Sequence, residues 1–224
     1  MIAAATEPPA SPPKPLLRGW LHLVCFFLAL PAAAVVVALA SGVRGRLAAT
    51  VYALGLLALF AVSGLYHRLN WTAAKRAWMQ KLDHGTIFVM IAGSYTPLCL
   101  LVLRGWVAWV MLAFAWTGAA LGLVLAFTPG RASRVGRGVL YFCLGWAAVV
   151  AIPQMWSHLS VVEMILFAVG GLLFTVGSVF LFTHWPDPFP RVFGYHEVWH
   201  VLVVLAVICH FVAIALVVHP PASA

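Results

Sequence analysis

Charged side chains are scarce in this sequence. Only 8% of its 224 residues are charged, and just five are acidic. A soluble domain carries about 25% charged residues, so an ordinary water-facing globular domain is excluded. The shortage of carboxylates also excludes an oxygen-rich cage for magnesium or calcium. Cysteine is sparse too. Cys25, Cys99, Cys143 and Cys209 are scattered through apolar stretches without metal-ligand spacing, and packing is their expected role. No internal repeat is evident, so the inverted-repeat signature of many transporters is missing.

What remains is apolar: 64% of the residues are hydrophobic. A membrane-spanning helix needs about 20 apolar residues. Seven stretches meet or approach this, at roughly 19–41, 47–67, 84–103, 106–127, 137–153, 161–183 and 195–218. The fifth is short, and tilting or a small extension would let it cross. The expected fold is therefore all-α, a seven-transmembrane helical bundle forming one domain over 16–219. The first 15 residues, MIAAATEPPASPPKP, are rich in Pro and Ala and read as a disordered tail. Residues 220–224 form a second short tail. The first apolar stretch is too long for a signal peptide and lacks a clear cleavage site, so it reads as a retained span.

The net charge of +8 would fit a nucleic-acid partner, but its distribution does not. The basic residues lie between spans, as membrane topology dictates. With seven spans, one side holds Lys14, Arg18, Arg68, Lys75, Arg76, Lys81, Arg131, Arg134, Arg137 and Arg191. The other holds only Arg44, Arg46 and Arg104. The N-terminus is therefore expected in the cytoplasm and the C-terminus outside, and nucleic acid is set aside as a partner in favour of the lipid bilayer.

Several loops are marked by composition. The longest, 68–83, is basic and aromatic with helical character, and is expected to lie in the interface with Trp71 and Trp78 at headgroup depth. Three prolines in 184–191 break any helix, and Thr128-Pro129-Gly130 ends the fourth span. Pro97 and Pro153 are expected to kink or end their spans. Gly170, Gly171 and Gly177 are expected to allow close helix approach.

A few ionisable groups sit at the edges of spans, where they are functional candidates by default. His196 and His200 are four residues apart, so they share a helix face at the start of the seventh span. Ser63 and His67 share a face at the end of the second. Asp83 opens the third. By the charge count all these edges lie on one side. Three neutral imidazoles with an open position for water suit zinc, which brings such a water's pKa toward about 7. Asp83 is placed to orient that water or take its proton, and Ser63 to donate a hydrogen bond. His84 neighbours Asp83 and competes with His67 as a ligand. Successive helical side chains diverge by about 100°, which favours Asp83 facing inward. His22, at the edge of the first span, is a candidate for a supporting hydrogen bond. His158, His184 and His219 fall at span ends or in loops.

The segment His196-Glu197-Val198-Trp199-His200 also spells H-E-x-x-H, the zincin protease signature with Glu as general base. A third ligand would have to follow. His210 is the only nearby choice, and ten residues place it about 15 Å deeper. Glu197 is therefore better read as a supporting or interfacial residue.

These residues, taken in order, resemble the progestin and adipoQ receptor superfamily and its bacterial hemolysin III branch. That family carries S-x3-H at the end of one helix, Asp at the start of the next, and H-x3-H at the start of the last. The segments SGLYHRLNW, KLDHGTIFVMIAGSYTPL and PRVFGYHEVWH look like hemolysin III sequences, and the likeness covers about 16–218. It implies seven helices, an inside N-terminus and zinc on His67, His196 and His200, with Asp83 and Ser63 beside the water. One departure is visible. The family's E-x-x-N-x-x-x-H pattern survives only as His22, without its Glu and Asn.

The resemblance extends to alkaline ceramidases. The leading functional expectation is thus a zinc-dependent hydrolase of a lipid-like amide or ester, in a bacterial plasma membrane. The alternatives are a membrane sensor or receptor with structural zinc, and a pore-forming, hemolysin-type cytolysin.

Overall fold

The computed structural model describes residues 14–219; residues 1–13 of the predicted N-terminal tail, and the tail at 220–224, lie outside them. The helices are α1 (Trp20–Leu39), α2 (Gly42–Arg68), α3 (Ala73–Pro97), α4 (Gly105–Phe127), α5 (Arg131–Trp146), α6 (Ile152–His158), α7 (Val161–Thr183) and α8 (Tyr195–Val218). A π-turn at Leu98–Val102 prolongs α3, and a 3-10 turn at Ala147–Ala151 joins α5 to α6. Seven spans result, as expected. In hydrocarbon every backbone N–H and C=O must be paired within the protein, and helices do this segment by segment. Among the described residues the only β pairing is an isolated bridge between Phe189 and Phe193.

Three expectations need correction. The stretch 68–83 is not a separate interfacial segment: from Ala73 it is the beginning of α3. Its Ala, Lys, Arg, Met and Gln residues are strong helix formers, and long basic side chains can reach water from a span's end. Asp83 consequently lies in the third turn of the helix instead of at its start. The fifth span is much longer than the apolar run, Arg131–His158. Of the two outcomes expected at Pro153, ending the span does not occur: the ring sits in the first turn of α6, where no backbone N–H is needed, directly after the 3-10 turn that interrupts the span.

Consecutive helices pack in order through α1, α2, α3, α4 and α5, and α7 packs almost wholly on α8. α8 in turn contacts α1, α2 and α3. Over half of the apolar window is buried in the second and third spans, against 11% in the fifth and sixth. The centre of the bundle is thus α2, α3 and α8, and α5–α7 form its outer side. One core joins Tyr52, Leu56, Phe60, Met90, Val203 and Ile214; a second joins Phe88, Tyr95, Met111 and Leu144. Gly170 and Gly177 do let α7 approach closely: a Cβ would meet His210 Nε2 at 2.5 Å and Trp199 at 2.7 Å respectively, whereas Gly171 has nothing within 4 Å.

The segment before α1 is bound down. Leu16 and Leu17 donate backbone hydrogen bonds to Arg191 and Val192 carbonyls, at 3.0 and 3.1 Å. Lys14 Nζ donates to the Leu69 carbonyl, and the Arg68 guanidinium lies over the Trp20 ring, 4.5 Å from its centre. Gly19 makes the turn into α1 with φ of 80°, and a Cβ there would lie 2.8 Å from His67 Cβ. Only glycine combines that backbone with that contact. The N-terminal segment therefore rests directly on the end of α2 that carries His67.

Candidate metal centre

The site is built where the end of α2, the third turn of α3 and the start of α8 meet. α2 brings Ser63 and His67 to its last two turns, α3 brings Asp83, and α8 presents His196 and His200 on successive turns of one face. His67 Nε2 and His196 Nε2 face each other at 3.3 Å. One ring nitrogen from each of His67, His196 and His200 lies within 4.8 Å of the other two. Asp83 Oδ2 is 3.8 Å from His67 Nε2, and the Ser63 hydroxyl stands beside the same carboxyl group. His67, His200 and Ser63 are buried.

The donor set fits zinc. Two nitrogens at tetrahedral positions about 2.0–2.1 Å from a zinc ion lie about 3.3 Å apart, the separation found for His67 and His196. Three nitrogen donors with no thiolate suit a borderline metal better than magnesium or calcium.

His22 is buried and its ring lies flat on His200, with centroids 3.9 Å apart and planes 5° apart. Neither ring nitrogen has a hydrogen-bond partner, so stacking takes the place of the expected hydrogen bond. His84 is not among the three converging rings; its carbonyl accepts the Tyr141 hydroxyl at 2.7 Å. His210 lies deep in α8 beside the Phe167 carbonyl, apart from the cluster. His158 bonds Gln154 in its own helix, and the His184 ring meets Tyr195.

Glu197 is buried, and both its carboxylate oxygens are engaged. One carboxylate oxygen pairs with Arg18 Nε; the other accepts the Gly194 N–H at 2.9 Å, capping α8. Sequence reasoning missed Arg18 as a partner and counted it only as topological charge. The signal was available: an acidic residue in the first turn of a membrane helix needs a cation, and Arg18 occupies the Asn position of the E-x-x-N-x-x-x-H pattern aligned on His22.

Breaking a buried ion pair costs about 3–5 kcal/mol. Arg18 is partly exposed, so Arg18→Ala is expected to destabilise by ~3 kcal/mol, at the low end of that range. Unfolding in detergent micelles reads this directly. In a Glu197→Gln background the same substitution should cost much less; equal costs would mean that Arg18 acts by another route.

A bundle of seven spans with a cluster of three histidines at one end, two of them buried, defines a multi-pass membrane protein able to hold a metal ion. The sequence matches the Haemolysin-III related family over residues 10–211, and the chain belongs to that family. It is 31% identical to Hemolysin-3 of Bacillus cereus over 206 residues, covering 90% of each chain. A Hemolysin-3 homolog of Bacillus subtilis is 29% identical over 67% of this chain and 68% of its own. Monocyte to macrophage differentiation factor of Homo sapiens is 29% identical over 75% of this chain and 69% of its own. The resemblance carried by the three motifs thus extends to the chain as a whole.

Proposed function

We propose that this protein is a zinc-dependent membrane hydrolase acting on a lipid-like amide or ester. The convergence of three imidazoles with the Asp83 carboxylate inside a membrane domain carries this reading. His67, His196 and His200 would hold the zinc ion. When bound, the ion supplies Lewis acidity toward a carbonyl group and toward water. Asp83 Oδ2 accepts the proton that water gives up as it adds to the carbonyl carbon, then returns it to the departing nitrogen or oxygen. Ser63 holds the Asp83 carboxyl group in orientation. The Arg18–Glu197 pair fixes the start of α8, and with it the alignment of His196 and His200. An apolar substrate reaches the site sideways between helices, from an N-terminus-inside bundle set by the basic residues.

The name Hemolysin-3 of two relatives raises a pore. Seven polar side chains are buried among the described residues; His22, Ser63, His67, Glu197 and His200 gather around this site, and Ser133, at the start of α5, lies at the same end. That distribution favours a local site over a polar lining through the bundle.

The test is turnover by the purified full-length protein across a panel of lipid amides and esters. Cleavage of at least one member is expected, abolished by a chelator and restored by zinc. Turnover indifferent to chelation, or none across the panel, sinks the reading.

A further inference from the structure

We infer that the outer face between α5 and α7 is a binding groove for one anionic phospholipid, with its phosphate held by Arg131 and Arg134. The two helices pack mainly on other neighbours, α5 on α4 and α7 on α8. Between them lies an open-sided groove of about 860 Å³, walled by Val135, Val139, Phe142 and Phe182. That volume falls in the roughly 300–1,000 Å³ range of small-ligand sites. The wall residues are exposed, Phe182 by 74%, and they belong to apolar spans, so lipid chains are their surroundings.

The charge at the mouth is what selects the headgroup. Three arginines stand on the first turns of α5, and they differ in use. Arg137 donates to the Leu125 carbonyl at 2.8 Å and is turned inward. Arg131 and Arg134 are exposed groove-lining residues outside the two ion pairs found among the described residues, Arg18–Glu197 and His67–Asp83. With five acidic residues in the chain, the protein has little negative charge to offer them. Two guanidiniums above an apolar channel match a phosphate above acyl chains, and basic pockets between membrane helices bind acidic headgroups in this manner. None of the groove residues belongs to the histidine cluster, so this inference stands apart from the proposed hydrolase.

Native mass spectrometry of the full-length protein in micelles tests it, by titration with phosphatidylglycerol and phosphatidylcholine of identical chains. One phosphatidylglycerol per chain is expected to stay bound where phosphatidylcholine does not. At about fivefold per basic residue, Arg131→Gln with Arg134→Gln is expected to weaken this by roughly thirtyfold. Arg44→Gln with Arg46→Gln removes the same charge from the opposite end and is expected to change nothing. Gly138→Leu fills the groove, since a Cβ there points to Phe182 at 3.5 Å, and is expected to expel the lipid with helix content intact. Equal retention of the two lipids, equal loss in the Arg44/Arg46 variant, or undiminished binding in Gly138→Leu would each overturn the groove. Displacement by glycerol phosphate alone would overturn it too, because the chains would then contribute nothing.

Discussion

If the proposed site holds zinc, the wild type is expected to carry about one ion per chain, and replacing His200 with Ala is expected to leave the purified protein without it. His200 is buried and supplies one of three nitrogens that lie within 4.8 Å of each other. Removal leaves two imidazoles, and the loss in affinity should exceed the 10–100-fold typical of removing an outer partner. Metal analysis by mass spectrometry after dialysis reads the result. His67→Ala and His196→Ala should behave alike. His22→Ala is the informative contrast. Its ring only stacks on His200, so this variant should keep its zinc, with affinity lowered by about 10–100-fold at most. Zinc retained in all three ligand variants would remove the site. Because a buried imidazole is lost, His200→Gln serves as a second variant that preserves bulk and polarity.

The second large effect is expected at Asp83. Asp83→Asn should lower turnover by about 10²–10⁴-fold, the usual contribution of a positioned acid or base, or ~3–5 kcal/mol of barrier. Zinc content should be unchanged, since the carboxylate stands 3.8 Å from His67 Nε2 beside the three nitrogens and not among them. Asn keeps the shape and can still meet Ser63, so the change removes proton acceptance and little else. This variant separates the readings of the site. A purely structural zinc predicts that Asp83→Asn keeps its fold, its metal and any signalling. Full turnover with full zinc would remove Asp83 from the chemistry while leaving the metal centre in place.

Much of the site was legible because membrane sequence is restrictive. In an apolar span a polar residue needs a partner, so Ser63, His67, His196 and His200 stood out, and the four-residue spacings put each pair on one face. Alternating spans then brought the ends of the second, third and seventh to one side without any knowledge of packing. Arg18 and Glu197 were harder. Each carried a signal of its own, but the partnership spans 179 residues, and nothing local pairs one with the other. His22 lay between these cases: its depth could be read, but a flat stack on His200 depends on how α1 and α8 lean together. The limits of the fifth span also escaped, since Arg131–Val135 looks like loop by hydropathy yet belongs to a helix whose inner face is bound by Ser133 and Arg137 to the Leu125 carbonyl.

The sequence by itself determined seven apolar spans, their alternation and the end of the bundle at which the ionisable groups gather, because hydrocarbon punishes every unpaired polar group and admits few solutions. Tertiary structure alone decided which groups meet. It tied Glu197 to Arg18 and laid His22 on His200. It also left α5 and α7 apart with two arginines at the opening. These choices follow from the tilt and rotation of whole helices, which are set by packing between segments distant in sequence and are written in no single stretch of it.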